Sequence, residues 1–175
     1  SIRQLFQDGV NIAGDEVCRA LVEEIVFPQL LAQLETAGSA PVGPSAKSQL
    51  IHLFAGGDAG HGANFRTLKA KLVPYFWLPI ARCLWAVAEG FEIRDHAPDK
   101  QYSIDDVMRI FEGAPFSAAV LAEADRFLEP LIAGFPGLKN LFLRFDCQEI
   151  ERVIRNALRE PLRRYADIIA QFDVD

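Results

Sequence analysis

Apolar residues recur along this chain at three-to-four-residue spacing rather than in strict alternation, and two stretches carry the pattern most clearly. Near the C-terminus, Cys147, Ile150, Val153/Ile154, Ala157/Leu158, Leu162, Tyr165, Ile168/Ile169 and Phe172 keep to one side of a helix. Asp146-Cys-Gln-Glu149 offers its cap. Unbroken from 147 to 172, that helix would extend about 39 Å. In the middle, Leu72–Ala88 is apolar on every side, with Arg82 as its single charge. A helix without a polar face has to be surrounded, so a central helix over 74–90 is predicted, with the other elements packed around it.

The remaining segments read the same way. Residues 15–36 place Cys18, Leu21, Val22, Ile25, Leu31 and Leu34 on one side, with Asp15 and Glu16 in the first turn, where the helix dipole favours acid. Ser45 caps a short helix through Leu53 and Phe54 that ends at Gly56-Gly57, and Asn64 caps the next. Ser103-Ile-Asp-Asp106 has the form of a capping box, and Ser117 opens a helix carrying Val120, Leu121, Ala124, Phe127, Leu128 and Leu131. A short segment over Leu138–Phe145 leads to the last helix. Val, Ile and Thr never gather in short flanked runs, so no sheet is predicted. The expectation is an all-α fold over 1–175, a single bundle of about seven to eight helices.

Pro28, Pro79, Pro130 and Pro161 lie inside these helical patterns. Each lacks an amide donor and would free the carbonyl four residues earlier, on Glu24, Tyr75, Arg126 and Ala157. The helices either kink there or restart with proline in a first turn. The first three are equally spaced, but their flanking residues do not match at that interval, and the spacing is read as chance. Bent helices wrap a core; the sharper alternative is that the kinks open a pocket beside the central helix. A globin-like arrangement fits the helix number, the bends and the Phe content as well as a plain bundle does. It does not bring haem with it, because no histidine stands at a convincing ligand position.

Composition narrows the picture. A chain of 175 residues, 50% of them hydrophobic, can bury a sizeable core without metal or disulfide staples. Thirteen Phe against one Met give that core stiff side chains rather than adaptable filler. A net charge of −6 disfavours nucleic acid and anionic membrane as partners. Cys18, Cys83 and Cys147 are odd in number, far apart and set among apolar residues, which fits reduced thiols in a cytoplasmic protein. The first residue is Ser1 rather than Met, as in a processed product or a domain excised from a larger protein. Leu72–Ala88 is short for a membrane span and carries Arg82, Pro74 and Pro79, so no span is expected.

Candidate chemistry is sparse. Arg82 cannot shed its proton, so it either pairs internally, with Glu24, Asp125 or Glu129, or reaches the surface. Alternatively it anchors an anionic head group in a ligand pocket lined by Phe76, Trp77 and Trp85. The loop Phe54–Phe65 has Gly57 and Gly62 at phosphate-loop spacing, yet Ala63-Asn64 replaces the Lys-Ser/Thr that grips phosphate, and it reads as a connection. Asp95, Asp99 and Asp106 fall at three calcium-loop positions, but Lys100 occupies the tight turn that wants glycine. His52, His61 and His96 lie on separate elements, and no serine or cysteine nucleophile has a recognisable setting. Neither a metal nor a cofactor is predicted.

Arg152, Arg155, Arg159 and Arg163 form a stripe on the last helix. Such a stripe is a solvated face, an internal partner for the acid-rich first part of the chain, or a contact for an acidic protein surface. The leading expectation is therefore a non-catalytic interaction or regulatory domain. Its contacts would run through this stripe and the C-terminal helix, which could also self-associate. The rival is a sensor or carrier enclosing an apolar molecule, a lipid tail or tetrapyrrole, beside Phe76, Trp77, Arg82 and Trp85. An enzyme ranks third.

Overall fold

Two prolines decide how two of the three longest helices are built. In the computed structural model, which describes residues 14–37, 62–90, 101–111 and 116–172 (37 and 168–172 as backbone), α1 runs over 14–37 and α2 over 63–88. Each contains one five-residue π-turn, Val22–Val26 in α1 and Val73–Trp77 in α2. The residue just before each proline donates one residue further back than an α-helix would, Phe27 to the Val22 carbonyl and Leu78 to that of Val73. Proline cannot donate, and its ring crowds the carbonyl four residues earlier; widening the turn by one residue relieves that crowding without breaking the helix. The carbonyl that Pro79 frees, on Tyr75, accepts a bond from the Ser117 amide at 3.4 Å. The two turns also share a sequence: a valine, two variable residues, three apolar residues, then proline, from Val22 to Pro28 and from Val73 to Pro79. Pro28 and Pro79 therefore belong to one local device used twice. Pro130 does something else: it follows Glu129, the C-cap of the helix Ala118–Leu128, where the helix ends.

The other elements follow in chain order. β1 (Gln101–Ser103) leads into α3 (Ile104–Ile110), and α4 is Ala118–Leu128. A 3₁₀ turn at Leu138–Asn140 precedes β2 (Phe142–Arg144), and α5 spans Cys147–Phe172. The Ser103–Asp106 capping box forms in both directions, and the Ser117 side chain accepts from the Val120 amide. The Asp146 carboxylate accepts from the amides of Gln148 and Glu149.

The fold is mostly helical, as expected, but the described residues hold five helices rather than seven to eight. The Asn64-led and Pro74-led segments are one continuous rod, α2, capped at Gly62 rather than by Asn64, because the π-turn carries the helix through both prolines. The helix expected over 45–54 lies outside the described residues, as do the histidines and most of the glycine loop. The absence of a sheet also needs correction. β1 and β2 pair antiparallel, Gln101 with Arg144, Tyr102 with Leu143 and Ser103 with Phe142. Three residues per strand are too few to register as alternation, although the central ones, Tyr102 and Leu143, are buried.

A pair of glutamines ties this small sheet to α1. Gln33 donates to the Phe142 carbonyl at 2.6 Å and accepts from the Phe142 amide at 2.7 Å. Gln29, one turn earlier, does the same for Arg144 at 3.3 and 2.8 Å. A primary amide presents a donor and an acceptor side by side, as a peptide unit does, so two glutamines at i, i+4 stand in for a third strand. The outer edge of β2 is thereby closed.

α2 does lie at the centre, with Phe76, Ile80 and Leu84 buried among Leu21, Leu30 and Leu34 of α1, Leu121 and Leu128 of α4, and Ile150 and Val153 of α5. It is not enclosed on every side. Val73, Tyr75 and Arg82 are exposed, so parts of the apolar rod face solvent.

Candidate interaction surface

α5 changes its surroundings along its length. Ile150 and Val153 are buried, Ile154, Ala157 and Leu158 are half-buried, and Leu162 is 61% exposed. The reason is geometric. Ile150, Ile154, Leu158 and Leu162 follow each other at four-residue steps, and four residues overshoot one turn of 3.6 by about 40°. The row therefore spirals off the core as it ascends, and its last member emerges.

Where it emerges, a groove of about 340 Å³ opens between the C-terminal end of α2 and the outer half of α5. Trp85 and Ala88 supply one apolar wall and Ile154, Leu158 and Leu162 the other. Glu89, Glu151 and Arg155 are its charged lining residues. Arg155 and Arg159 stand three residues before Leu158 and Leu162, which makes them surface neighbours on the helix. Arg155, Arg159 and Arg163 thus form a second row beside the apolar one, and all three are exposed.

The stripe predicted from sequence is divided by its contacts. Arg152 reaches Glu24 of α1 at 3.7 Å and Glu149 at 3.9 Å, so the internal pairing expected with the acid-rich first part of the chain holds for that residue. Among the described residues, no ion pair reaches Arg155, Arg159 or Arg163, whereas the adjacent Arg164 pairs with Glu160 at 3.1 Å.

The family model described as virulence factor SrfB matches residues 2–175. The chain belongs to the SrfB family. No curated protein matches it, and no solved structure does.

The four pocket candidates are placed apart in this SrfB-family chain. Phe76 and Trp77 are core residues at 0% and 4% exposure, packed edge to face with ring centroids 4.6 Å apart. Arg82 reaches solvent on the flank towards α1, close enough to the Cys18 thiol to act on its ionisation. Trp85 alone of the four lines the groove.

Burial holds the thiols of Cys83 and Cys18 in their protonated form. Burial pushes Cys83 up to about 12, against a small opposing effect of a backbone hydrogen bond. Burial also raises Cys18, with Arg82 opposing. A thiol so placed is a poor nucleophile at neutral pH. Among the described residues no group of three or more His, Cys, Asp and Glu could hold a metal ion, and no helix is long and apolar enough to cross a membrane. Of the calcium-loop aspartates only Asp106 lies within the described residues, and it serves α3 instead, in the capping box with Ser103.

Sequence reasoning missed two features here. The groove depends on how far α2 and α5 diverge, which no local pattern encodes. The glutamine pair had a signal, two Gln at i, i+4 on the polar side of α1, but glutamine at that spacing is ordinary on a solvated helix.

Proposed function

We propose that this chain is a non-catalytic interaction domain that binds a protein partner through the outer half of α5. The observation that carries this reading is Leu162, a large apolar side chain 61% exposed at the mouth of a groove whose walls are Trp85, Ile154 and Leu158. Leaving that surface in water forgoes about 25 cal/mol per Å² of apolar area, and contiguous exposed apolar patches mark contact sites. Three exposed arginines beside it supply the charged rim such contacts use. The family description, virulence factor, suits a chain that acts by contact with another protein.

A photo-crosslinking residue placed at position 162 or 159 in cells tests the reading, with Ala119, exposed on α4, as the control position. Discrete protein adducts from 162 and 159 and none from 119 are expected. No adduct at 162, or the same adducts at 119, would overturn the reading.

A further inference from the structure

Resting on the reading of α5 as a contact surface, we infer that the groove takes an amphipathic helix of another protein, acidic on the side that lies along Arg155, Arg159 and Arg163. The shape of the site favours a helix. Its apolar anchors Ile154, Leu158 and Leu162 rise through about 12 Å at 1.5 Å per residue, two turns of an occupant helix with anchors at i, i+4 and i+7. An added strand would need an open sheet edge, and the outer edge of β2 is already bonded to Gln29 and Gln33.

Charge then selects the occupant. Arg155, Arg159 and Arg163 run parallel to the apolar row, exposed and with no ion pair among the described residues, while Arg152 and Arg164 on either side have carboxylate partners. An occupant with Glu or Asp at i, i+4 and i+8 on one flank would match that row. Glu89 and Glu151 line the same groove, so the occupant is neutral or basic where it passes them. The two demands together give it a direction.

A second copy of the chain meets them poorly. Two α5 helices related antiparallel by a two-fold axis bring the same flank of each together, setting each arginine row against its own copy. Parallel pairing puts the row against the flank of α5 that already packs on α2. A nucleic acid would gain the arginines but leave Trp85 and Leu162 with nothing apolar to cover, and it would meet a chain of net charge −6.

The test is a display library of helical peptides of about 18 residues, long enough to hold a helix. Each carries a fixed apolar spine, with flanking positions drawn equally from Glu, Lys and Gln. It is selected on the wild-type chain, on Leu162→Asp, and on a triple variant R155E/R159E/R163E whose folding is checked by circular dichroism. Wild type should enrich Glu over Lys on one flank by at least about tenfold, a difference of 1.4 kcal/mol. The triple variant should enrich Lys at the same positions, and Leu162→Asp should retain few binders. The inference is overturned if no peptide is retained, if Lys is enriched as strongly as Glu, or if charge reversal leaves the preference unchanged. Crosslinking at 162 with any of those selection results removes this inference and leaves the contact surface standing. Absence of crosslinks at 162 removes both.

Discussion

Ile150 and Leu162 belong to one apolar row on one helix, yet the first is fully buried and the second is 61% exposed. Nothing in residue type separates them. What differs is rotation: three steps of about 40° carry the row some 120° round the helix, off the core that covers its beginning. α5 packs against the π-turn of α1 and against α2, and Leu158 and Leu162 farther along it face Trp85 and Ala88 across the open groove. A hydrophobic stripe in a sequence thus specifies a surface that wants covering; how much is covered is set by where its rotation carries it relative to the neighbouring helices.

The largest effect should come from deleting side chains at the two ends of that row. Ile150→Ala removes a fully buried side chain and should cost about 2–5 kcal/mol in denaturant unfolding. Leu162→Ala should stay within about 0.5 kcal/mol, as an exposed substitution does. Equal costs at the two positions would mean that the outer half of α5 is covered as well as the inner half, and the contrast would collapse.

A weaker lever loosens the cover itself. Gln29 and Gln33 fasten α1 to β2, and α1 in turn lies against the first half of α5. Replacing both glutamines by Leu withdraws four hydrogen bonds from the backbone of Phe142 and Arg144. At about 0.5–1.5 kcal/mol for each bond, discounted because water can reach the vacated groups, a loss of about 1–3 kcal/mol is expected. Amide exchange at Phe142 and Arg144 should quicken by at least about tenfold, since a bond of that strength no longer has to open. Unchanged exchange there would show that the glutamines are ornaments on a strand held by β1 alone.

Much of this body was legible beforehand, and the illegible parts share a cause. Caps are local, so Ser103, Ser117 and Asp146 announced their helices from a handful of neighbouring residues. The carbonyl freed by Pro79 could be named from its position, although the donor that meets it, Ser117, lies on a distant element. The π-turns were not legible, because a proline in an apolar pattern is equally compatible with a kink, a break and a widened turn; only packing on both sides selects the continuous rod. The β1–β2 pair was hidden by brevity. At the candidate site, the arginine row and the helix bearing it were visible, whereas the opposite wall, Trp85 and Ala88, required the placement of α2. Placing Phe76, Trp77, Arg82 and Trp85 around one cavity did not allow for their positions round the helix: six residues separate Phe76 from Arg82, so a central rod turns Phe76 into the core and Arg82 to solvent.

The smallest effect comes from the thiols, which sample the same division between covered body and open helix. Cys83 sits inside α2 with its ionisation pushed up to about 12 by burial, from an ordinary value of 9.0. Cys147 opens α5 and is only half-buried. With a thiol reagent at pH 8, Cys147 should react first, Cys18 slowly, and Cys83 at the rate of global unfolding. The direction of the shift also fixes a pH dependence. The folded state holds the Cys83 proton more tightly than the unfolded chain, so its contribution is constant below pH 9 and stability falls as pH rises from there towards 12. The thermal midpoint should be flat between about pH 6 and 8 as far as this group is concerned, decline above about 9, and decline less in Cys83→Ala. Rapid labelling of Cys83 in the native protein would mean that α2 opens without unfolding, and the covered half of the molecule would then be no more closed than the half of α5 that carries Leu162.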